Sequence, residues 1–352
     1  MQTPEVDATA LEALLSAAVA APSIHNTQPW RFGMDPAARS IEVRADRRRT
    51  LPLADPDRRA QHLSVGAAVF NLRVAAAHLG WHPVVDLLPD PHDPDLLATV
   101  RLAGRTASGR TPEPDLHEAL ERRHTSRLPF TGRPVPERIL AEMTEAAHAE
   151  GACLDIPDIV RTRRLLRLTA AAEARNAVHR ARTAEARGWI TAPQTRTPYG
   201  IPATALGPLD AAGRVPMRDF TGAPAGPHLP AVRFERHAQV ALLWTVRDRP
   251  EDWLRAGQAL ERTLLVATAH DVRTSMMHQA MEWPDLRAAT GGARRRCCPQ
   301  LLIRFGYGPD GGRTPRASAR LGTSRRDADA DVGSGAGSGA VAGPVSACRA
   351  RR

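Results

Sequence analysis

Ala21-Pro-Ser-Ile-His-Asn-Thr-Gln-Pro-Trp-Arg-Phe32 is the stretch on which the reading of this chain turns. It sets hydroxyls and amides between two prolines at the exit of an apolar run. Ser23, Asn26 and Gln28 offer donors and acceptors on a backbone stiffened by Pro22 and Pro29, which suits hydrogen bonding to a flat heterocycle or a ribityl chain. A helix stop followed by an Asx-type turn, with Trp30 entering the core, would account for the same residues. A second polar stretch, Arg122-Arg-His-Thr-Ser-Arg127, packs three guanidiniums and two hydroxyls into six residues. If extended, it projects Arg123, Thr125 and Arg127 to one side, where a planar fork and a hydroxyl would meet one anion, most naturally a phosphate. A solvated basic turn is the alternative.

Working outward, Thr9-Ala-Leu-Glu12 has capping-box spacing, and Leu11, Leu14, Leu15 and Val19 recur at helical intervals until Pro22. Ile41 to Asp46 alternates as a strand, Asp57 to Gly80 reads as a helix rich in small residues, and Pro83 to Leu88 and Leu96 to Leu102 read as two further strands. The Gly/Pro/Thr-rich Gly104 to Pro114 marks a boundary, so that a first half covers 1–112 and a second 113–320. The second half holds a helix from Pro136 to Glu150, a brief strand, and one long helix to about Arg187. Between Trp189 and Pro230 there are eight Pro and five Gly in 42 residues. That is far longer than an ordinary connection of ~12–15 residues. It is either a lid over a site or a loop that covers apolar surface. Strand-like alternation from Ala231 to Val246, a helix from Pro250 to Asp271 and the strand Gln300 to Phe305 close the core, and the Gly/Ser/Ala-rich 321–352 reads as a disordered tail.

Composition narrows the chemistry. The 352 residues carry 48 basic and 38 acidic side chains, net +10, and every basic one is arginine. Without lysine there is no P-loop lysine, no Schiff base and no SxxK acylation. Residues 309–352 hold +4 of that charge, from eight Arg and four Asp, and the basic residues do not cluster with stacking aromatics. Nucleic acid is therefore not an expected partner. The four cysteines contain no CxxC pair, and no apolar run approaches the ~20 residues of a membrane span, so a cytoplasmic protein without membrane contact is expected. No metal site is expected: His78 and His82 lack a third ligand, and Asp327, Asp329 and Asp331 lack the glycine and glutamate of a calcium loop. Gly335-x-Gly-x-x-Ala340 has the letters of a dinucleotide loop but no preceding strand, and no GxSxG elbow marks a hydrolase.

Together the two polar stretches resemble the FMN-dependent nitroreductase superfamily, whose chains open on an RRSxRxF-like phosphate motif and continue to a PSxxNxQPW motif. Here both occur in reversed order, with Arg123-His-Thr-Ser-Arg127-Leu-Pro-Phe130 resembling the first and Pro22 to Trp30 the second. Gly66 to Ala77 and Gly257 to Ala269 both resemble the family's interface helix. In that family the cofactor lies between two subunits. The resemblance therefore implies an α+β nitroreductase-like fold, internally duplicated so that one chain mimics the homodimer, with one complete site per chain. It spans about residues 8–320 and is nearest the Acg-like subgroup, in which duplication and a lid are found.

The same resemblance implies which residues hold FMN. Arg123, Thr125, Ser126 and Arg127 fall at the phosphate, ribityl and pyrimidine edge, and Pro22, Ser23, His25, Asn26 and Gln28 at the other face. Arg313 and Arg316 correspond to a C-terminal phosphate ligand. Met277, His278 and Gln279 lie along the flavin N5 edge, where His278-Gln279 replaces the family's usual Glu-Gly or small-residue pair. No side chain is needed as acid or base: NAD(P)H leaves a hydride at flavin N5 and a nitroaromatic or quinone collects it in a ping-pong cycle. A catalytically silent, lid-closed protein that sequesters FMN is the other function compatible with these residues. A monomer, as a pseudo-dimer, is expected in preference to a homodimer.

Overall fold

Asp7, rather than Thr9, starts the first helix: its carboxylate accepts the Ala10 amide at 2.7 Å, satisfying one of the orphan donors of α1 (Ala8–Val19). Thr9 lies inside the helix, so the expected capping box is not formed. The computed structural model describes residues 6–105, 116–192, 194–220, 229–292, 297–318 and 321. The boundary expected within 104–114 lies almost wholly outside them. The tail does too, apart from Leu321, and with it the dismissed glycine and aspartate motifs.

In the first half, β1 (Trp30–Asp35) and β2 (Ser40–Ala45) precede α2 (Arg59–His78), which is followed by β3 (Trp81–Leu87) and β4 (Leu96–Arg105). The strands form an antiparallel sheet in the order β1-β2-β4-β3. Its inner face packs with α1 and α2 into one core containing Leu14, Ile41, Val43, Phe70 and Leu97. Gly80, at φ 85°, ends α2 where the sequence puts its stop.

In the second half come α3 (His117–Arg122), α4 (Glu137–Ala149) and β5 (Cys153–Asp155), and the expected long helix is two, α5 (Ile159–Val178) and α6 (Arg180–Gly188). His179 breaks it by adopting φ −92°, ψ 90°, and caps α6 by accepting the Arg182 amide. The Pro/Gly-rich segment carries two short parallel ladders, β6 (Ile190–Thr191) with β7 (Ile201–Pro202) and β8 (Leu209–Asp210) with β9 (Ala231–Val232). The run expected as one strand from Ala231 is therefore split between β9 and β10 (Gln239–Thr245). After α7 (Pro250–Ala269) come β11 (Arg273–Met277), α8 (Pro284–Gly291) and β12 (Cys298–Gly306), and the second sheet runs β11-β12-β10-β5. It packs with α4 and α7 around Met143, Leu243, Leu264 and Ile303.

The halves join through α2 and α7. A Cβ on Gly66 would lie 2.2 Å from the Leu254 carbonyl oxygen, and one on Gly257 would lie 2.1 Å from that of Leu63. Each glycine thus faces the carbonyl three residues before the other, the reciprocal contact that an isologous two-fold interface produces. Beyond β12 the chain crosses back to the first half, where Ala317 N donates to Gln28 Oε1 at 2.9 Å and Leu321 bridges Phe32 on the edge strand β1.

Replacing an exposed helical glycine by alanine normally gains ~1 kcal/mol. Gly66→Ala and Gly257→Ala should instead each lose about 1–3 kcal/mol or more through overpacking against backbone. Urea unfolding measures the sign, and a stabilised variant would refute the close approach.

Candidate functional site

Past α1 the chain turns sharply. His25, Asn26 and Gln28 all adopt positive φ, at 50°, 54° and 48°, a conformation non-glycine residues hold only when their surroundings impose it. Here side chains impose it. Ser23 Oγ accepts the Gln28 amide at 2.9 Å, and Arg49 donates to the Gln28 carbonyl at 2.6 Å. Asn26 Nδ2 donates to the carbonyls of Gly200 at 2.8 Å and Pro315 at 3.0 Å, while its Oδ1 accepts from Arg316 at 2.9 Å. Gln28 Nε2 donates to Pro198 O at 2.6 Å. These two amides clasp the Pro/Gly-rich segment and the C-terminal arm to the turn.

The arginine stretch is fixed differently. Thr125 bridges Thr274 in parallel, and Ser126 N donates to Thr274 O at 2.9 Å, laying the segment beside β11. Two adjoining chambers result. The first, ≈ 900 Å³, is floored by Leu260, Met276, Met277 and Leu301, closed by Ile201, Met217 and Phe220, and edged by Pro22, Ser23, His25, Thr125, Arg127, His278 and Gln279. The second, ≈ 750 Å³, is lined by Asn26, Arg123, His124, Arg313 and Arg316 and shares Pro22, Ser23, Thr125, Arg127 and Met276 with the first. Of the residues singled out in sequence, only Gln28 and Ser126 line neither chamber; both are wholly buried and hold backbone in place.

Charge is distributed unevenly between the chambers. Arg127 donates to Ala205 O at 2.9 Å, and among the described residues no carboxylate forms an ion pair with it. Burial lowers its guanidinium to about 10, still charged at neutral pH. Arg316 is lowered to about 9, by burial first and then by repulsion from Arg123, and its Nε has no hydrogen-bond partner among the described residues. Arg123 Nε stands 3.2 Å from Glu261 Oε1, and burial pushes that carboxyl up to about 7 against the pull of Arg123. The second chamber is therefore a cationic hollow, and Glu261, the buried carboxyl behind Arg123, is readily neutralised.

At the first chamber, burial would raise the Glu282 carboxyl, but Arg218 and His278 outweigh it and hold it at about 2. Glu282 forms a close ion pair with Arg218, with Arg182 at 3.7 Å and His278 Nδ1 at 3.4 Å. Gln279 Nε2 donates to Pro216 O at 3.1 Å, and the Asp219 amide donates to Glu173 at 2.8 Å. Residues 198–220 are thereby pinned over the chamber. Burial first, then Arg218, drives the His25 imidazole down to about 3; the ring is neutral, its Nε2 has no hydrogen-bond partner among the described residues, and Phe220 meets it edge-on at 5.3 Å. Arg218, Phe220, Glu261 and Glu282 escaped the sequence reading. Only Glu261 left a signal, as an acid interrupting the apolar stripe of α7.

No family model matches the sequence. It is, however, 31% identical over 313 residues to "Putative NAD(P)H nitroreductase Rv3131" of Mycobacterium tuberculosis, an alignment covering 88% of each chain. The chain belongs to the nitroreductase family. A second relative from that organism, "Putative NAD(P)H nitroreductase acg", is 29% identical over 317 residues, 88% of this chain and 92% of its own. The crystal structure of a nitroreductase-type protein from Anabaena variabilis has the same fold at a TM-score of 0.50, with 11% identity over 88% of this chain and 90% of that one. The α+β, internally duplicated nitroreductase-like architecture expected from the two motifs is thus the architecture found.

The Glu282 carboxylate is ionised in the folded protein far below its unfolded value of ~4.3. Its contribution is therefore complete above about pH 4.5 and fades as pH falls towards about 2. The hydrogen-exchange protection factor across residues 198–220, corrected for the intrinsic pH dependence of exchange, should be the same at pH 7 and pH 5 and fall below pH 4. Arg218→Ala removes the nearest cation from the buried Glu282 carboxylate and leaves it only Arg182 and His278, a loss of up to ~3–5 kcal/mol. It should speed that exchange at pH 7, and unchanged protection would show that the ion pair does not hold the segment.

Proposed function

We propose that this protein binds one FMN across the paired chambers and works as an NAD(P)H-dependent oxidoreductase on nitroaromatics or quinones. The observation that carries the reading is Arg127, a guanidinium with no ion pair among the described residues, at the junction between an apolar chamber and a cationic one. A flat apolar ring system joined by a hydroxylated chain to a phosphate has the same sequence of chemistries, so the residues present fit the cofactor. The methionine and leucine floor suits the ring face. Ser23, Thr125 and Gln279 offer hydrogen bonds along its polar rim, and Arg123, Arg313 and Arg316 suit the phosphate. Gln28 and Ser126 serve by holding the turn and the arginine segment.

When bound, FMN supplies a two-electron relay between NAD(P)H and the acceptor. The chain's own part is electrostatic and steric. Arg127 stabilises negative charge at the polar rim, and the orphaned Nε of Arg316 has a donor to give an anion. His25, neutral at physiological pH, presents an uncharged ring nitrogen and acts neither as cation nor as strong acid. Residues 198–220 keep water from the chamber. One wall comes from Pro22 to Asn26 in the first half and the other from Arg123 to Arg127 in the second, so a monomer is a complete unit. The absence of a CxxC pair suits a cytoplasmic location, where NAD(P)H is supplied.

The Arg218–Glu282 lock favours a second reading, in which FMN is sequestered and neither nicotinamide nor acceptor reaches it. Anaerobic addition of NADPH or NADH to the purified yellow protein separates the two. Bleaching of the flavin bands is expected; reduction by dithionite alone would favour sequestration, and a colourless protein that takes up no FMN would end both. Arg127→Ala removes a charged partner contributing ~1.5–3 kcal/mol and should weaken FMN retention by roughly ten- to a hundredfold. Flavin content equal to that of the parent would defeat the role assigned to Arg127.

A further inference from the structure

A larger cleft, ≈ 1440 Å³, opens between α5, the Gly213–Val215 stretch and the start of β10, and shares no lining residue with the two chambers. Its floor is apolar: Leu166, Val215, Val240 and Phe305 are buried there, and Ile159 at the rim is left 49% exposed. Its mouth is cationic. Arg163 and Arg167 stand one turn apart on α5, Arg236 faces them from the approach to β10, and Arg214 comes from the opposite wall. Among the described residues none of these four guanidiniums forms an ion pair, and only Arg214 makes a side-chain hydrogen bond, to Phe234 O at 3.3 Å. The one carboxylate among the described lining residues, Glu235, is already spent, since Arg304 occupies both its oxygens at 2.5 and 2.7 Å.

Elsewhere on this surface some arginines meet carboxylates, as Arg175 meets Asp285 and Arg255 meets Glu251, while others, such as Arg31 and Arg101, form no ion pair among the described residues. Here four arginines surround an apolar hollow, and among the described residues that line it no acid is left to answer them. Low-dielectric walls focus the field of such a group, and a concave apolar floor with a few charged groups is the form of a small-molecule site rather than of a flat protein interface. We propose that this cleft is a second binding site, for a small amphipathic anion: an apolar or aromatic body bearing two or more phosphate, sulfonate or carboxylate groups. The site is independent of the flavin reading. The body lies on the Leu166 and Val240 floor, and the anionic groups meet the guanidiniums of Arg163, Arg167 and Arg236 in charge-assisted pairs.

Pyrene-1,3,6,8-tetrasulfonate, an aromatic plate with four charges, is a direct probe by isothermal titration calorimetry against the full-length, flavin-loaded protein. One site with a dissociation constant below ~100 μM is expected. The double variant Arg163→Glu/Arg167→Glu, altered only at exposed positions, should keep its flavin absorbance and bind the probe roughly tenfold or more weakly. Inorganic pyrophosphate, which has charge but no apolar body, should fail to displace the probe at millimolar concentration. Absence of binding, undiminished binding by the double variant, or displacement by pyrophosphate as readily as by unlabelled probe would each overturn the proposal. The last would reduce the cleft to a diffuse positive field.

Discussion

The reciprocal approach of α2 and α7 is the constraint from which the rest of the molecule follows. With 2.2 Å and 2.1 Å available where a Cβ would stand, the two helices touch backbone to backbone, and only glycine at 66 and 257 allows it. That contact fixes the distance between two sheets with separate cores, and hence the distance between the polar turn after α1 and the arginine segment after α3. Both chambers lie where those two segments meet. The C-terminal arm then returns across the junction, and its fastening to Asn26 and Gln28 ties the second half to the first a second time.

Buried charge gives the two chambers different characters. The cationic hollow holds Arg127 and Arg316 without carboxylate partners among the described residues, while Glu261, beside Arg123, is easily protonated. At the apolar chamber the balance is reversed: Glu282 is firmly ionised because Arg218, Arg182 and His278 converge on it. An unpaired buried guanidinium is costly for folding alone and useful in the presence of an anion; a fully answered carboxylate is the opposite, a clamp that asks for nothing further. Binding capacity and closure are thus carried by separate groups in one continuous space.

What could be read from the sequence followed from local physics. Gly80 ended α2 because a left-handed residue was needed there, and the turn from Pro22 to Trp30 betrayed itself by polarity that a core would not accept. What could not be read depended on partners distant in the chain. β1 is the exception: Trp30, Phe32 and Met34 alternate with Arg31, Gly33 and Asp35, a legible strand period obscured only by its start directly after Pro29. β11, Arg-Thr-Ser-Met-Met, has no apolar period, and β12 makes it a strand. His179 divides one apparent helix without proline or glycine. Arg218 and Glu282 are 64 residues apart, and nothing local to either announces the other. Of the candidate site, chamber-lining residues within the two motifs were therefore legible and those contributed by the covering segment were not.

Fusing two related halves also frees positions that a homodimer must keep identical. The helices share the pattern Leu-x-x-Gly, at Leu63 to Gly66 and at Leu254 to Gly257, yet four residues beyond each glycine they diverge to Phe70 and Glu261, both buried. In a pair of identical subunits any substitution is made twice, so an acid beside the crossing would bring a second acid across the axis. Within a single polypeptide one copy can turn polar while its counterpart stays aromatic, and symmetry becomes a scaffold for specialisation instead of a restriction on it.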